Sequence, residues 1–423
     1  MEDHAKQSQQ QVFKFLLSML TGNLGSSILT FIIGLLILKS TDSAIQFGIS
    51  QVIGPLVALL LLPFTGSMID KFDKKKVLIA AQFLSIGSLA VYSILIYFQG
   101  FDNLIYTYVL LIFLKISDQF LTTGFTAAII TMVIEEHIQK LKSFQQMLSA
   151  FIMILSPLLG VMFVNLIPLY SFVLIEIGLE IIAVLAIYWI NFQFIDAAST
   201  DEPPEGILLM FKKGLSFVGK SKKLIFTLFF SMMINFLFGA INVGIPFVQI
   251  NVLHFPTHIY GITEAILSIG MILAGLVLSI RKAIKHPLLS TWWMINMFGL
   301  LFILLGVFLS FQLDRFYAIL LISSFNFLIG AVITWTNVPL TIWMTKEIPI
   351  QLQGRTFHLL NTGGQLLTPL GILLFSVLFD FYASFIIFII AGICILLITI
   401  IYPAIFKIDL RDTTLLTEKE KAR

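Results

Sequence analysis

Long apolar runs separated by short polar segments set the pattern of this chain. A helix needs about twenty mostly apolar residues to cross a hydrocarbon core about 30 Å thick. On that measure the pattern predicts twelve spans, at 13–38, 44–66, 77–98, 103–134, 143–167, 169–190, 224–250, 257–280, 288–311, 316–345, 356–379 and 381–406. The runs lack the strict polar–apolar alternation of a barrel strand. Backbone groups find no water in the bilayer, so the runs are expected as helices.

The connections are short except one, Asn191 to Lys223, which carries Asp201, Glu202, Pro203, Pro204 and then five lysines. It divides the spans six and six. The predicted organisation is an N-terminal six-helix half over 1–190, a central loop over 191–223, a C-terminal half over 224–406 and a tail over 407–423. Within the loop, 206–219 places apolar residues at helical spacing with lysines between, which fits an interfacial amphipathic helix; a solvated linker fits the same composition. The two halves echo each other. Lys142-Ser-Phe144 leads to Ser156-Pro157 in the fifth span, and Arg355-Thr-Phe357 leads to Thr368-Pro369 in the eleventh, as a duplication of six spans requires.

Composition agrees with this reading. At 58% hydrophobic and 12% charged, with a mean hydropathy of +0.99, the chain lacks the charge to cover a soluble globule. Charge also orients it. Between the second and third spans, Gly66 to Lys76 forms a hinge with four lysines. With this hinge in the cytoplasm, 23 of the 26 basic residues fall inside, only Lys39 and Arg315 fall outside, and Lys115 lies within a span. Both termini are then cytoplasmic. The net charge of +3 reflects this topology and calls for no nucleic-acid partner. The segment before the first span is polar, no small-residue cleavage site follows, and the first span is expected to be retained.

Ionisable residues inside spans mark functional sites by default, because each costs about 2.5 to 3.5 kcal/mol at the bilayer centre. Lys115 and Asp118 stand at i,i+3 on one face of the fourth span, with Gln119 beside them. At about 1.5 Å per residue Lys115 sits roughly 18 Å from the outer surface, near the midplane. Two readings stand for the pair: an ion pair that pins two helices, or a lysine facing a substrate cavity. Glu176 and Glu180 lie one turn apart in the sixth span, with no base in that span to pair with. Two close carboxylates in a low dielectric do not both stay ionised cheaply, so such a pair can take up and release a proton. Asp118 and, in the eighth span, Glu264 are further proton-coupling candidates. For each glutamate the plainer alternative is a protonated carboxyl bonded to a neighbouring helix.

Asn23, Asn235, Asn242, Asn326, Trp335 and Asn337 are further cavity candidates, with helix–helix contact as the commoner use of such residues. The single cysteine, Cys394, allows no disulfide within one chain. His254 and His258 are split by Pro256, so no metal site is expected. No nucleotide-binding loop or catalytic triad occurs, so neither an enzyme nor a cofactor is expected.

Twelve spans in two sixes, the long central loop and the run Gly66-x-x-x-Asp70-Lys71-x-x-Lys74-Lys75 together resemble the major facilitator superfamily, over nearly the whole chain. Asp73 stands where that family's loop motif has glycine, a departure shared with the macrolide-efflux-like drug:proton antiporters. Glu135-Glu136 closing the fourth span, Gly261-Ile-Thr-Glu264 and Gln353-Gly354-Arg355 also resemble that branch. The resemblance implies an all-α integral membrane fold of two pseudo-symmetric six-helix halves and alternating access. It also implies that Asp70 meets the start of the eleventh span near Arg355 to close a cytoplasmic gate, where a helix N-terminus favours an anion. It further implies a bacterial plasma-membrane exporter, working as a monomer in the lipid bilayer, that exchanges protons for a small amphipathic or hydrophobic compound. Relatives that handle siderophores or lysolipids leave export or flipping of such a metabolite open. A non-transporting sensor would keep its phenotype when Glu176, Glu180 or Lys115 is neutralised, and an uptake permease would accumulate substrate.

Overall fold

Apolar side chains all round a helix suit a hydrocarbon solvent, and the chain folds accordingly. The computed structural model describes residues 2–194, 216–281, 284–311, 313–348 and 350–412; within these, the side chains of 2–5, 62, 63, 67, 70, 130, 135, 350–355 and 358 stay outside the description. The described residues are helical with no strand, and twelve of their stretches are long and apolar enough to cross a membrane. Two units are compact: residues 1–41 with 53–204, and residues 42–52 with 205–423.

The first unit holds α1 (Glu2–Thr41), most of α2 (Ala44–Lys71), α3 (Lys74–Gln99), α4 (Leu104–Met132), α5 (Glu135–Leu166) and α6 (Leu169–Trp189). The second holds α7 (Lys222–Phe247), a π turn at Val248–Val252, α8 (Thr257–Ile280), α9 (Pro287–Leu309), α10 (Arg315–Glu347), α11 (Ile350–Gly364), α12 (Thr368–Phe381) and α13 (Ser384–Phe406). In unit 1, α1 packs on α5 and α6, and α3 packs on α4 and α6. In unit 2, α7 packs on α12 and α13, and α9 packs on α10 and α13. The same pairing six spans later is what a duplicated bundle gives.

Lipid is as apolar as leucine, so small residues and polar ties hold such helices together. In unit 2 the seam between α7 and α12 is made by Gly239 and Gly371. A Cβ on either would run into the backbone of the other helix, at Gly371–Ile372 or at Phe236. Each unit also has an apolar cluster at its lysine-rich end. In unit 1 it includes Phe15, Leu78, Ile129, Met132 and Ile187; in unit 2 it includes Val218, Leu224, Trp343, Met344 and Leu359. There Lys223 reaches Asp412 at 2.7 Å and ties α7 to the chain after α13.

Several expected boundaries move. Helix α4 ends at Met132 and α5 starts at Glu135, so Glu135-Glu136 open the fifth helix rather than close the fourth. The eleventh span is two helices joined by a turn at Gln365–Leu367. Pro369 sits in the first turn of α12, where its missing N–H costs nothing. Pro157, Pro246 and Pro339 stay inside continuous helices. The amphipathic helix expected at 206–219 lies outside the described residues up to 215; residues 216–220 are helical.

Candidate functional site

Three helices of unit 1 bring their polar residues together against two glycines of a fourth. Helix α6 supplies Glu176 and Glu180, one turn apart and both buried, Glu176 at 1% exposure. Helix α3 supplies Gln82 and Ser85. The Ser85 hydroxyl donates to Glu180 Oε1 at 2.8 Å, and the Gln82 amide donates to Glu180 Oε2 in a short contact. Helix α4 supplies Lys115 and Asp118, and Asp118 is close enough to act electrostatically on both glutamates. Helix α1 presents Gly22 and Gly25 to the same carboxyls. A side chain at Gly25 would overlap the Glu176 carboxyl, so the glycine creates the space that the glutamate fills.

Charge and hydrogen bonding are uneven within this cluster. Lys115 Nζ pairs with Asp118 Oδ2 at 2.9 Å, with the two side chains 30% and 39% exposed. Both residues belong to α4, so the pair closes within one helix. The Lys115 methylenes lie over Gly54 of α2. One carboxyl oxygen of Glu176, Oε2, and Gln82 Oε1 have no hydrogen-bond partner among the described residues. A buried carboxyl with an unanswered oxygen is costly unless a proton or a cation arrives there. Three acids and one base thus stand near one another in unit 1, the two glutamates buried and the Lys115–Asp118 pair partly exposed. Gln82 and Ser85 were missed from sequence; the available signal was a glutamine and a serine three apart in an otherwise apolar run.

Unit 2 holds a second polar knot. Gln249, on the π turn, is buried; its Nε2 donates to Glu264 Oε1 at 2.9 Å, and its Oε1 accepts from the Thr263 hydroxyl in a short contact. Asn326 of α10 donates to the Thr263 carbonyl at 2.8 Å and ties α10 to α8, while its own Oδ1 has no partner among the described residues. A π turn, which widens a helix by one residue, often accompanies such sites. It follows Pro246 here.

The other expected residues scatter. Asn235 donates to the Ser231 carbonyl of its own helix at 2.9 Å. Trp335 lies under the Arg281 guanidinium at 5.4 Å. Asn23 and Asn337 are exposed, and Gln119 and Asn242 are half-buried. Among the described residues no group of three or more His, Cys, Asp or Glu is placed to hold a metal. An apolar groove of about 320 Å³ between α3 and α4, floored by Gly87 and walled by Phe83, Val91, Val109 and Phe113, contains none of these residues.

At the hinge, α2 runs on through Gly66 to Lys71 without leaving its helix. Asp73 caps α3, its carboxylate accepting from the Lys76 amide at 3.2 Å, which gives the residue standing in place of glycine a structural reason. Lys74 Nζ donates to the Ala127 carbonyl of α4 at 3.1 Å, and Lys75 Nζ to the Tyr188 carbonyl of α6 at 2.5 Å while lying over the Tyr188 ring. Lys14 reaches the Trp189 carbonyl at 2.8 Å. Lys14 and Lys75 answer carbonyls in the last turn of α6, where positive charge is favoured, and Lys74 meets a carbonyl within α4. Lys71 lies over Phe72. The side chains of Asp70 and Arg355, on which the expected gate rests, lie outside the described residues.

Comparison with known proteins agrees with this architecture. The chain is 23% identical over 396 residues to macrolide efflux protein A of Streptococcus pyogenes, covering 92% of this chain and 94% of that protein. It is 22% identical to macrolide efflux protein A of Enterococcus faecalis, covering 73% and 94%. Among solved structures it resembles the nucleoside transporter NupG (TM-score 0.68, 14% identity, 94% of this chain and 100% of that one). It also resembles a bacterial homologue of the iron transporter ferroportin (0.67, 15%, 93% and 98%) and a D-xylose–proton symporter (0.67, 14%, 96% and 100%). The profile of the Major Facilitator Superfamily matches residues 15–372, and with twelve membrane-spanning stretches in two similarly paired bundles, the chain belongs to that superfamily of membrane transporters.

Proposed function

We propose that this transporter is a proton-coupled exporter of small amphipathic or hydrophobic compounds in a bacterial plasma membrane, with both termini in the cytoplasm. Glu176 and Glu180 carry the coupling proton, Asp118 sets the field around them, and Lys115 lines the substrate path with Gln119. Glu264 is a second protonation site, oriented by Gln249. The single observation that carries this reading is the Glu176 carboxyl, fully buried in a membrane-spanning helix with one oxygen unanswered, beside a second glutamate and with one lysine to balance three acids. A proton is the smallest counter-charge such a site can take, and its departure restores the repulsion that drives the next uptake. The direction and the substrate class rest on likeness to the macrolide efflux proteins. Asp70 and Arg355 close the cytoplasmic end.

The test uses purified protein in liposomes under an imposed pH gradient, screened against dyes, macrolides and lysolipids. Gradient-driven flux should disappear in Glu176→Gln and in Glu180→Gln, and substrate selectivity should change in Lys115→Ala. Unchanged flux in all three variants overturns the coupling assignment.

A further inference from the structure

The start of α2 is held in an unusual way. Asp380, at the end of α12, accepts three hydrogen bonds from it: from the Ser43 hydroxyl at 2.7 Å, from the Ala44 amide at 2.5 Å and from the Ile45 amide at 3.2 Å. Helix N-termini leave their first amides unbonded, and an acid side chain is the strongest answer to them, but the cap normally comes from the residue just before the helix. Here Ser43 supplies that local cap, its hydroxyl accepting from the Gln46 amide at 3.3 Å, and a second acceptor for the Ala44 and Ile45 amides comes from Asp380, 336 residues away from Ala44. Further along, Gly48 lets α2 close onto Ser376 of α12, where any Cβ would overlap the serine hydroxyl. Before the helix, Asp42 adopts a left-handed backbone (φ 55°) and accepts from the Asn251 amide on the π turn in a short contact. These ties explain why residues 42–52 group with unit 2 although α2 continues into unit 1.

We propose that Asp380 is a gating residue: it latches the first turns of α2 to α12 at the end opposite the lysine-rich hinge, and α2 must leave it when the transport path opens there. The proposal rests on the transporter reading above, but not on proton coupling or on the substrate. For stability alone the local cap suffices, as Asn103 does for α4 and Ser221 for α7; α2 has its own in Ser43 and is held by Asp380 in addition. This added acceptor from another helix ties the position of the first turn of α2, rather than its helicity, to that helix. Release breaks the three Asp380 bonds and the Asp42–Asn251 contact and exposes the Gly48–Ser376 seam. Hydrogen bonds to a charged group are among the stronger ones, and their loss is expected to shift the latched population by about tenfold or more.

Two readouts test this in a Cys394→Ser background. In the first, Ser376→Cys reports the seam through its rate of reaction with a membrane-impermeant thiol reagent, without any substrate. The rate should rise about tenfold in Asp380→Asn and by less in Ser43→Ala; an unchanged rate in Asp380→Asn overturns the latch. In the second, Ser43→Cys with Asp380→Cys replaces the latch by a reducible cross-link. Oxidation should stop flux and reductant should restore it, whereas cross-linked protein that transports at the reduced rate overturns gating and leaves a merely structural cap. If the parent protein moves no compound at all, the export reading fails and the labelling rates still decide the latch.

Discussion

Replacing Gly25 by alanine puts a methyl group where the Glu176 carboxyl now sits, with Leu179 Cδ1 only 2.9 Å from the new atom. The backbone of α1 cannot retreat freely, because α1 packs on both α5 and α6. The carboxyl must therefore swing out of its niche or the α1–α6 seam must widen. Overpacking a close contact costs about 1–3 kcal/mol, about 5- to 150-fold in the folded population. If the clash is with the carboxyl, the cost should fall below about 0.5 kcal/mol in a Glu176→Ala background, a coupling well above the scatter of independent sites. The assay is a double-mutant cycle on purified protein in detergent, with unfolding by SDS followed through tryptophan fluorescence, and gradient-driven flux measured on the same four proteins. Stability should return in the double variant while flux does not. An equal cost of Gly25→Ala with and without Glu176 would refute the argument that this glycine exists to house the carboxyl.

Asp73→Ala should destabilise the protein by about 1 kcal/mol through loss of the α3 cap, whereas Asp73→Gly, which restores the family's residue, should cost only a few tenths; chemical denaturation of the two variants checks the order. Gly371→Val drives a branched side chain into the Phe236 backbone and should sharply lower the yield of folded protein, read by size-exclusion chromatography, with Gly239→Val behaving alike from the other side of the seam. Gln249→Leu removes the amide that orients Glu264 and leaves the carboxyl without that donor; flux should fall as far as in Glu264→Gln, and the two changes combined should be no worse than either.

Hydropathy made the spans legible because a bilayer demands the same length and apolarity of each helix, whatever the helix packs against. The same logic found Glu176, Glu180, Asp118, Lys115 and Glu264, since each stands out as an ionisable group in an apolar run. It did not find what answers them. Gln82 and Gln249 are uncharged, so their runs still read as ordinary span, and only the packing of α3 on α6 and the π turn after Pro246 reveal their use. Asp380 was the single residue left between the eleventh and twelfth predicted spans, where an acid looks like a solvated loop; its partners are more than three hundred residues away. The end of the eleventh helix pair was placed well, but its break was not, because Pro369 supports both a bend in one helix and the start of another.

Lys14, Lys74 and Lys75 have a consequence for how the protein is made. While the chain is being inserted, positive charge beside an apolar run decides which way the run threads, before any tertiary contact exists. Once the bundle has formed, two of these ammonium groups sit on carbonyls at the end of α6 and the third on a carbonyl within α4. A span that threaded backwards would therefore lose its charge preference and deprive the last carbonyls of α6 of these donors together. The charges that would bias threading during insertion are thus the ones that hold helix ends in the folded bundle, so a misthreaded chain would be expected to fray there.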